Sequence, residues 1–278
     1  MLNKIFKASR PATLGVSILS TFLGIIISYR QGYIFQSPLW DVWRIFLVIT
    51  AAVLLQSGMN MMNNYFELGV LKSRLEKLIF KASIALFAIT ALIGIYLAFY
   101  SGVQLFFIEV ICIFAAYAYA GEPFNYKRFG LGAIMSFIMM GPIMSYASFF
   151  VFSKSFSMMP IIYSFTGGLF IPAILLANEL RDYKEDKGKN ILTLTVRIGY
   201  ERGKILYYAL IAFAYINTTI LVIVKYLPAL SMIVLLTIPL IGEIIRSVKF
   251  NKKRLIPLTA RMYLFFCTQL FLVLVLTK

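Results

Sequence analysis

An all-α membrane protein of about nine transmembrane helices is the fold class this sequence predicts, and three observations point to it. Of its 278 residues, 61% are hydrophobic and only 14% charged, with a mean hydropathy of +0.86, well outside the range of a soluble domain. Apolar runs of about twenty residues, the length that crosses a bilayer, follow one another along the chain. The cations gather in the breaks between those runs, as orientation by positive-inside loops requires.

Taken in order, Lys4, Lys7 and Arg10 precede a first run at 12–29 that no small-residue cleavage site follows, so it is expected to be retained rather than removed as a signal. The second run, 45–66, ends in a series of amides, and Lys72, Arg74 and Lys77 separate it from the third, 79–99. An uncharged break at Ser101 and Gly102 leads to 103–120, followed by 130–152 and 160–180. Pro142 and Pro172 sit mid-span in these last two and are expected to kink them, while Gly167 and Gly168 allow close approach of a neighbour. Runs at 204–225, 229–247 and 257–277 complete the set. Cations at 4–10, 72–77, 127–128, 181–204 and 246–254 fall on one side of this arrangement, against Arg30, Arg44, Lys154, Lys225 and Lys278 on the other. That bias predicts a cytoplasmic N-terminus and an external C-terminus. With no linker or soluble segment visible, residues 1–278 read as a single polytopic domain embedded in the lipid bilayer.

A net charge of +16 does not indicate nucleic acid, because the cations punctuate apolar spans instead of lining one face. Cys112 and Cys267 lie inside apolar runs, and the chain has no histidine. Classical zinc sites, haem-histidine ligation and Ser-His catalysis are thereby excluded. Chemistry here must use carboxylates, amides, tyrosines and cations.

Two polar stripes answer that description. Asn178, Asp182, Asp186 and Lys189 are spaced by four, four and three residues, which sets them on one helical face at the membrane-surface end of the sixth span. Asp182 and Asp186 are two of only three aspartates in the chain. One turn apart, they can offer both carboxylates to a hard cation such as Mg²⁺, which binds through one or two carboxylates plus substrate phosphates. Arg181, Lys184, Lys187, Lys189 and Arg197 around them suit a polyanion, although acids that merely offset bases in a solvated exit loop would look the same. Gln56, Asn60, Asn63, Asn64 and Glu67 form the second stripe, at the end of the second span. Their carbonyls can ligate Mg²⁺ and their NH₂ groups can donate to phosphate. Amides also hydrogen-bond between membrane helices, which is the plainer reading. Both stripes are expected at the cytoplasmic face, sharing one cavity.

A third segment, Tyr117, Tyr119, Gly121, Glu122, Pro123, Tyr126, Lys127 and Arg128, is expected to close the same surface, its tyrosines more in keeping with an interfacial belt than with catalysis. Glu109 and Glu243 are lone acids in apolar runs with no role assigned.

These residues carry a family resemblance. The run Asn178-Glu-Leu-Arg181-Asp182-Tyr-Lys-Glu-Asp186-Lys-Gly188-Lys189-Asn-Ile-Leu-Thr193 resembles the second aspartate-rich motif of the UbiA superfamily of intramembrane prenyltransferases, most of all the branch that prenylates 1,4-dihydroxy-2-naphthoate for menaquinone. Arg10-Pro11-Ala-Thr13-Leu14, the run from Gly121-Glu-Pro123 to Gly130-Leu-Gly132, and Gly141-Pro142 are similar to that branch as well. The resemblance implies a helical bundle around a central cavity, with a lipid-facing tunnel for a polyprenyl diphosphate and two Mg²⁺-binding motifs. It also implies an aromatic acceptor whose electron-rich ring captures the allylic cation, with metal and cations stabilising the leaving diphosphate and a dry cavity excluding water.

Under that resemblance Asp182 and Asp186 hold the stronger metal and Asn64 and Glu67 the weaker. Arg74, Arg128, Arg181 and Lys189 contact the diphosphate, and Asn60, Asn63, Tyr119 and Asn178 face the acceptor or order the ligands. The first motif departs from the family pattern Asn-Asp-x-x-Asp-x-x-x-Asp. Here it reads Asn63-Asn64-Tyr-Phe-Glu67-Leu-Gly-Val-Leu71, followed by a short loop in which Arg74 and Lys77 replace a longer cationic one. Fewer formal charges should weaken a hard-cation site. A membrane terpene cyclase, a non-catalytic prenyl-lipid-binding relative and a small transporter are the alternatives.

Overall fold

The computed structural model describes residues 2–67 and 73–277; Leu71 and Lys72 of the first-motif loop lie outside the described residues. Every regular element among them is helical. Among the described residues, seven helical stretches are long and apolar enough to cross a membrane: Pro38–Glu67, Arg74–Ser101, Gly132–Ser153, Met159–Gly188, Tyr200–Ile223, Ala229–Phe250 and Lys252–Leu276. Two shorter apolar helices, Leu14–Arg30 and Val103–Ala118, coincide with the remaining two runs read from the sequence. Large apolar side chains such as Leu92, Phe99, Phe107 and Ile223 are 59–85% exposed, which only a hydrocarbon solvent accommodates at this density. The protein is an integral membrane protein.

The chain divides into two compact units, the first made of residues 1–126 and 143–157, the second of 127–142 and 158–278. In the first, α1 (Leu2–Ala8), α2 (Leu14–Arg30), α3 (Pro38–Glu67), α4 (Arg74–Ser101) and α5 (Val103–Ala118) are joined by α7 (Met144–Ser153). Small residues allow close approaches: a Cβ on Gly24 of α2 would lie 2.1 Å from the Ser145 carbonyl oxygen and the Ser148 hydroxyl of α7. Such stripes let membrane helices bring their backbones together. Gly58 of α3 plays the same part, receiving the Ser83 hydroxyl on its carbonyl at 2.9 Å and packing under Phe87 of α4. A capping box starts α4, Ser73 accepting from the Glu76 amide while the Glu76 carboxylate takes the Ser73 N–H. Asp41 is buried in the first turn of α3, where it accepts from the Phe35 and Ser37 amides and pairs with Arg44.

The second unit packs α6 (Gly132–Ile138), α8 (Met159–Gly167), α9 (Phe170–Gly188), α10 (Leu194–Ile198), α11 (Tyr200–Ile223), α12 (Pro239–Phe250) and α13 (Leu255–Leu276). α9 lies at its centre, against α6, α10, α11 and α13. The rings of Phe170, Tyr215, Tyr263 and Phe266 meet there at centroid separations of 5.1–6.3 Å. Buried hydroxyls are satisfied within the unit, Tyr207 with Thr259 at 2.6 Å and Tyr215 with Thr237 at 2.5 Å.

The two prolines expected to kink spans act differently. Pro142 sits inside a π-helical turn, Met139–Ile143, between α6 and α7, where the widened turn absorbs the missing donor and the ring. Pro172 lies within the helical span Met159–Gly188 and perturbs its hydrogen-bond ladder. The ladder is interrupted one turn upstream, at Gly168 and Leu169, whose backbones keep helical dihedrals, and Pro172 falls in the first turn of α9. The physical reason is that Pro172 cannot donate to the Gly168 carbonyl, which instead accepts from Ile171 at 3.1 Å; the first turn is where a helix tolerates proline.

Candidate active site

On α9 the second-motif side chains come together as a charged cluster. Asp182 receives a two-point contact from Arg181, Nε to Oδ1 at 2.7 Å and Nη2 to Oδ2 at 2.5 Å. The same Nη2 donates to Asn178 Oδ1 at 2.7 Å, so Asn178, Arg181 and Asp182 form one network. Asp186 is half-buried one turn further on. Lys189 leaves the stripe: it lies just past the end of α9 and pairs with Glu185 at 2.5 Å. That hydrogen bond raises the Lys189 pKa above the ordinary lysine range, so it stays cationic through neutral pH.

Sequence reasoning missed Glu179. It is buried on α9 and accepts from both the Thr195 amide, at 2.8 Å, and the Thr195 hydroxyl, at 2.7 Å. A Cβ on Gly203 of α11 would meet Thr195 at 2.6 Å, so the contact is walled in on its far side. Glu179 thereby fastens α10 to α9 and fixes the connection that carries Lys189. Arg197 of α10 extends the clamp, donating to the Arg128 carbonyl at 2.8 Å and to the Leu192 carbonyl at 3.1 Å. Gly130 at φ +76° gives Arg197 room to pass. Arg128 is exposed and held through its backbone, which leaves its own side chain at the surface.

On α3 the amides are bound to the N-terminal segment. Asn60 donates both its N–H bonds, to the Ser9 carbonyl at 2.8 Å and the Thr13 hydroxyl at 3.0 Å. Asn64 donates to the Ala8 carbonyl at 3.1 Å. Asn63 and Gln56 are buried on the same helix. Arg10, in a left-handed conformation at φ +51°, reaches Asn64 Oδ1 at 3.4 Å and Glu67 Oε2 at 3.3 Å. Arg74 is exposed in the first turn of α4.

Beyond α5 the chain folds back on its own tyrosines. Tyr117 donates to the Glu122 carbonyl at 2.6 Å and Tyr126 to the Ala115 carbonyl at 3.0 Å. Tyr119 is buried edge-on against Tyr126, ring centroids 5.6 Å apart. Burial pushes the Tyr126 phenol up, so it remains a neutral donor at neutral pH.

No three His, Cys, Asp or Glu side chains converge on a common point among the described residues. What the second motif does bring together is a pair of acids, Asp182 and Asp186, one helical turn apart, with Arg181 bound to the first. The UbiA prenyltransferase family model matches residues 17–268, and the chain belongs to that family. It is similar to the 1,4-dihydroxy-2-naphthoate octaprenyltransferase of Bacillus subtilis, 24% identical over 84% of this chain and 78% of that one. The protein of the same name from Mycobacterium tuberculosis is 28% identical over 65% of this chain and 67% of its own. UbiA prenyltransferase domain-containing protein 1 of Dictyostelium discoideum is 27% identical over 91% and 80%. Among solved structures, a UbiA homolog from Archaeoglobus fulgidus bound to Cd²⁺ aligns over 98% of this chain and 99% of its own with a TM-score of 0.64 at 14% identity. A digeranylgeranylglyceryl phosphate synthase aligns over the same shares with a TM-score of 0.61 at 17% identity. These two likenesses concern the fold.

Proposed function

We propose that the chain transfers a polyprenyl group from its diphosphate to an aromatic acceptor of the 1,4-dihydroxy-2-naphthoate kind, in a Mg²⁺-dependent step of quinone biosynthesis at the cytoplasmic face. The observation that carries this reading is the pair Asp182 and Asp186, one helical turn apart on α9 and bordered by Arg181 and Lys189. Two carboxylates are the protein share that Mg²⁺ takes when phosphates complete its shell, so these residues fit the ion. Bound there, Mg²⁺ would neutralise charge developing on the leaving diphosphate.

The chain's own residues do the rest. Arg181, Arg128 and Lys189 bring fixed positive charge to the diphosphate oxygens. The allylic C–O bond breaks with its electron pair on the diphosphate, a ring carbon of the acceptor bonds to the allylic carbon, and the ring proton leaves to restore aromaticity. Asn178 orients Arg181 through their shared hydrogen bond, and Glu179 holds the frame on which they stand. The naphthoate acceptor is supported by the names of the bacterial relatives. Asp182→Asn is expected to reduce acceptor-dependent diphosphate release at least ~100-fold, the scale of losing a charged transition-state contact, with membrane insertion and monodispersity retained. Release at the wild-type rate would remove Asp182 from the reaction.

A further inference from the structure

The first motif does not fit a metal in this chain, and the structure shows what stands there. Its two oxygen donors nearest the surface, Asn64 Oδ1 and Glu67 Oε2, both face one nitrogen of the Arg10 guanidinium, at 3.4 and 3.3 Å. Glu67 supplies the stretch's only formal negative charge among the described residues, and Asn64 already spends its NH₂ on the Ala8 carbonyl. Hard-cation affinity follows ligand charge: Glu67 beside Arg10 leaves no net negative charge, whereas Asp182 and Asp186 together keep one even with Arg181 bound to Asp182.

Arg10 is also placed by construction. The left-handed residue is followed by the 3₁₀ turn Pro11–Thr13, and its own carbonyl accepts from the Thr13 amide at 2.9 Å and hydroxyl at 2.8 Å. The buried Asn60 grips the flanking Ser9 carbonyl and Thr13 hydroxyl, and Asn64 grips Ala8. Three residues of the α3 stripe, Asn60, Asn64 and Glu67, are thus used to seat one cation carried by a segment more than fifty residues away in sequence. A left-handed non-glycine conformation persists only where its surroundings over-determine it, and here they do.

We propose that Arg10 is the built-in cation of the first motif, taking the place of a metal ion, so that the chain binds a single divalent ion, at Asp182 and Asp186. The proposal rests on the prenyl-diphosphate reading above. A guanidinium meets phosphate oxygens directly with two parallel N–H bonds, so the charge removed from Asn64 and Leu71 of the family pattern is matched by positive charge that needs no ligand. The first motif then works at Mg²⁺ concentrations that would leave a one-carboxylate site empty.

The test counts ions. Mn²⁺ bound per full-length chain in detergent, with saturating inorganic pyrophosphate, is measured by electron paramagnetic resonance, alongside diphosphate release from a prenyl diphosphate. The expected count is one in the wild type, one in Glu67→Gln and Arg10→Lys, and none in Asp182→Asn/Asp186→Asn. Arg10→Gln combined with Asn64→Asp should raise it to two. Should that double variant misfold, Glu67→Gln on its own still decides the matter, since it lies at the exposed end of α3. Two ions in the wild type, one of them lost in Glu67→Gln, would overturn the proposal while acceptor-dependent release leaves the enzyme reading standing. No ion and no release from folded wild-type protein would overturn both.

Discussion

Glu179 is the residue whose role separates scaffold from chemistry most cleanly. Its carboxylate is buried and accepts two hydrogen bonds from Thr195, so Glu179→Ala leaves a buried amide and hydroxyl without an acceptor, at a cost of about 2–3 kcal/mol. Glu179→Gln, which keeps one acceptor oxygen, should cost roughly half as much. Thermal unfolding in detergent checks the order; equal Tm values for both variants and the wild type would show the contact to be idle. The stripe containing Asp182 and Asp186 was legible because helical spacing shows directly in sequence. Glu179 was not, since its partner lies sixteen residues on and beyond a helix end, where periodicity carries no information. The amides of α3 were legible as a polar face but not as a clasp: their partners, Ala8, Ser9 and Thr13, lie 47–56 residues away, and no local pattern names them. The interhelical hydrogen-bonding use of amides, left open by the sequence, accounts for Asn60 and Asn64.

At the scale of elements, hydropathy located the apolar helices and did less well at their breaks. The hydrogen-bond ladder of the sixth run is interrupted at Gly168 and Leu169 because a proline three residues downstream cannot donate backwards, a consequence that appears one turn before the residue causing it. The glycine reading was more direct at Gly167, where an added Cβ would lie 2.6 Å from the Cys267 sulfur of α13. Gly24, which no motif marked, makes the comparable approach between α2 and α7. Gly24→Ala should therefore destabilise by about 1–3 kcal/mol through overpacking. Gly15→Ala, on the same helix with nothing within 4 Å, should be neutral or slightly stabilising. Paired melting curves would test this, and equal Tm values for the two variants would contradict the close crossing.

At the scale of the whole molecule, the apolar helices and the cation bias together predict which ends meet the cytoplasm. In a background lacking Cys112 and Cys267, a cysteine at exposed Lys187 should react with an impermeant maleimide only in inverted vesicles, and one at exposed Ser155 only in right-side-out vesicles. The reverse pattern would invert the topology and move the second motif to the outside. The interleaving of the two units, with α6 in one and α7 in the other across Pro142 and Ile143, was invisible to composition, because both units have the same apolar character. Family membership and the paired aspartates converge on prenyl transfer, and one assay addresses it. Detergent-purified protein is given geranyl or farnesyl diphosphate and Mg²⁺, with and without 1,4-dihydroxy-2-naphthoate, and diphosphate release and the lipid product are followed together. The account predicts release only with acceptor, and by mass a prenylated 1,4-dihydroxynaphthoate or the prenylated naphthoquinone that loss of CO₂ and oxidation by air make of it. Release without acceptor, yielding a hydrocarbon or alcohol, would contradict it.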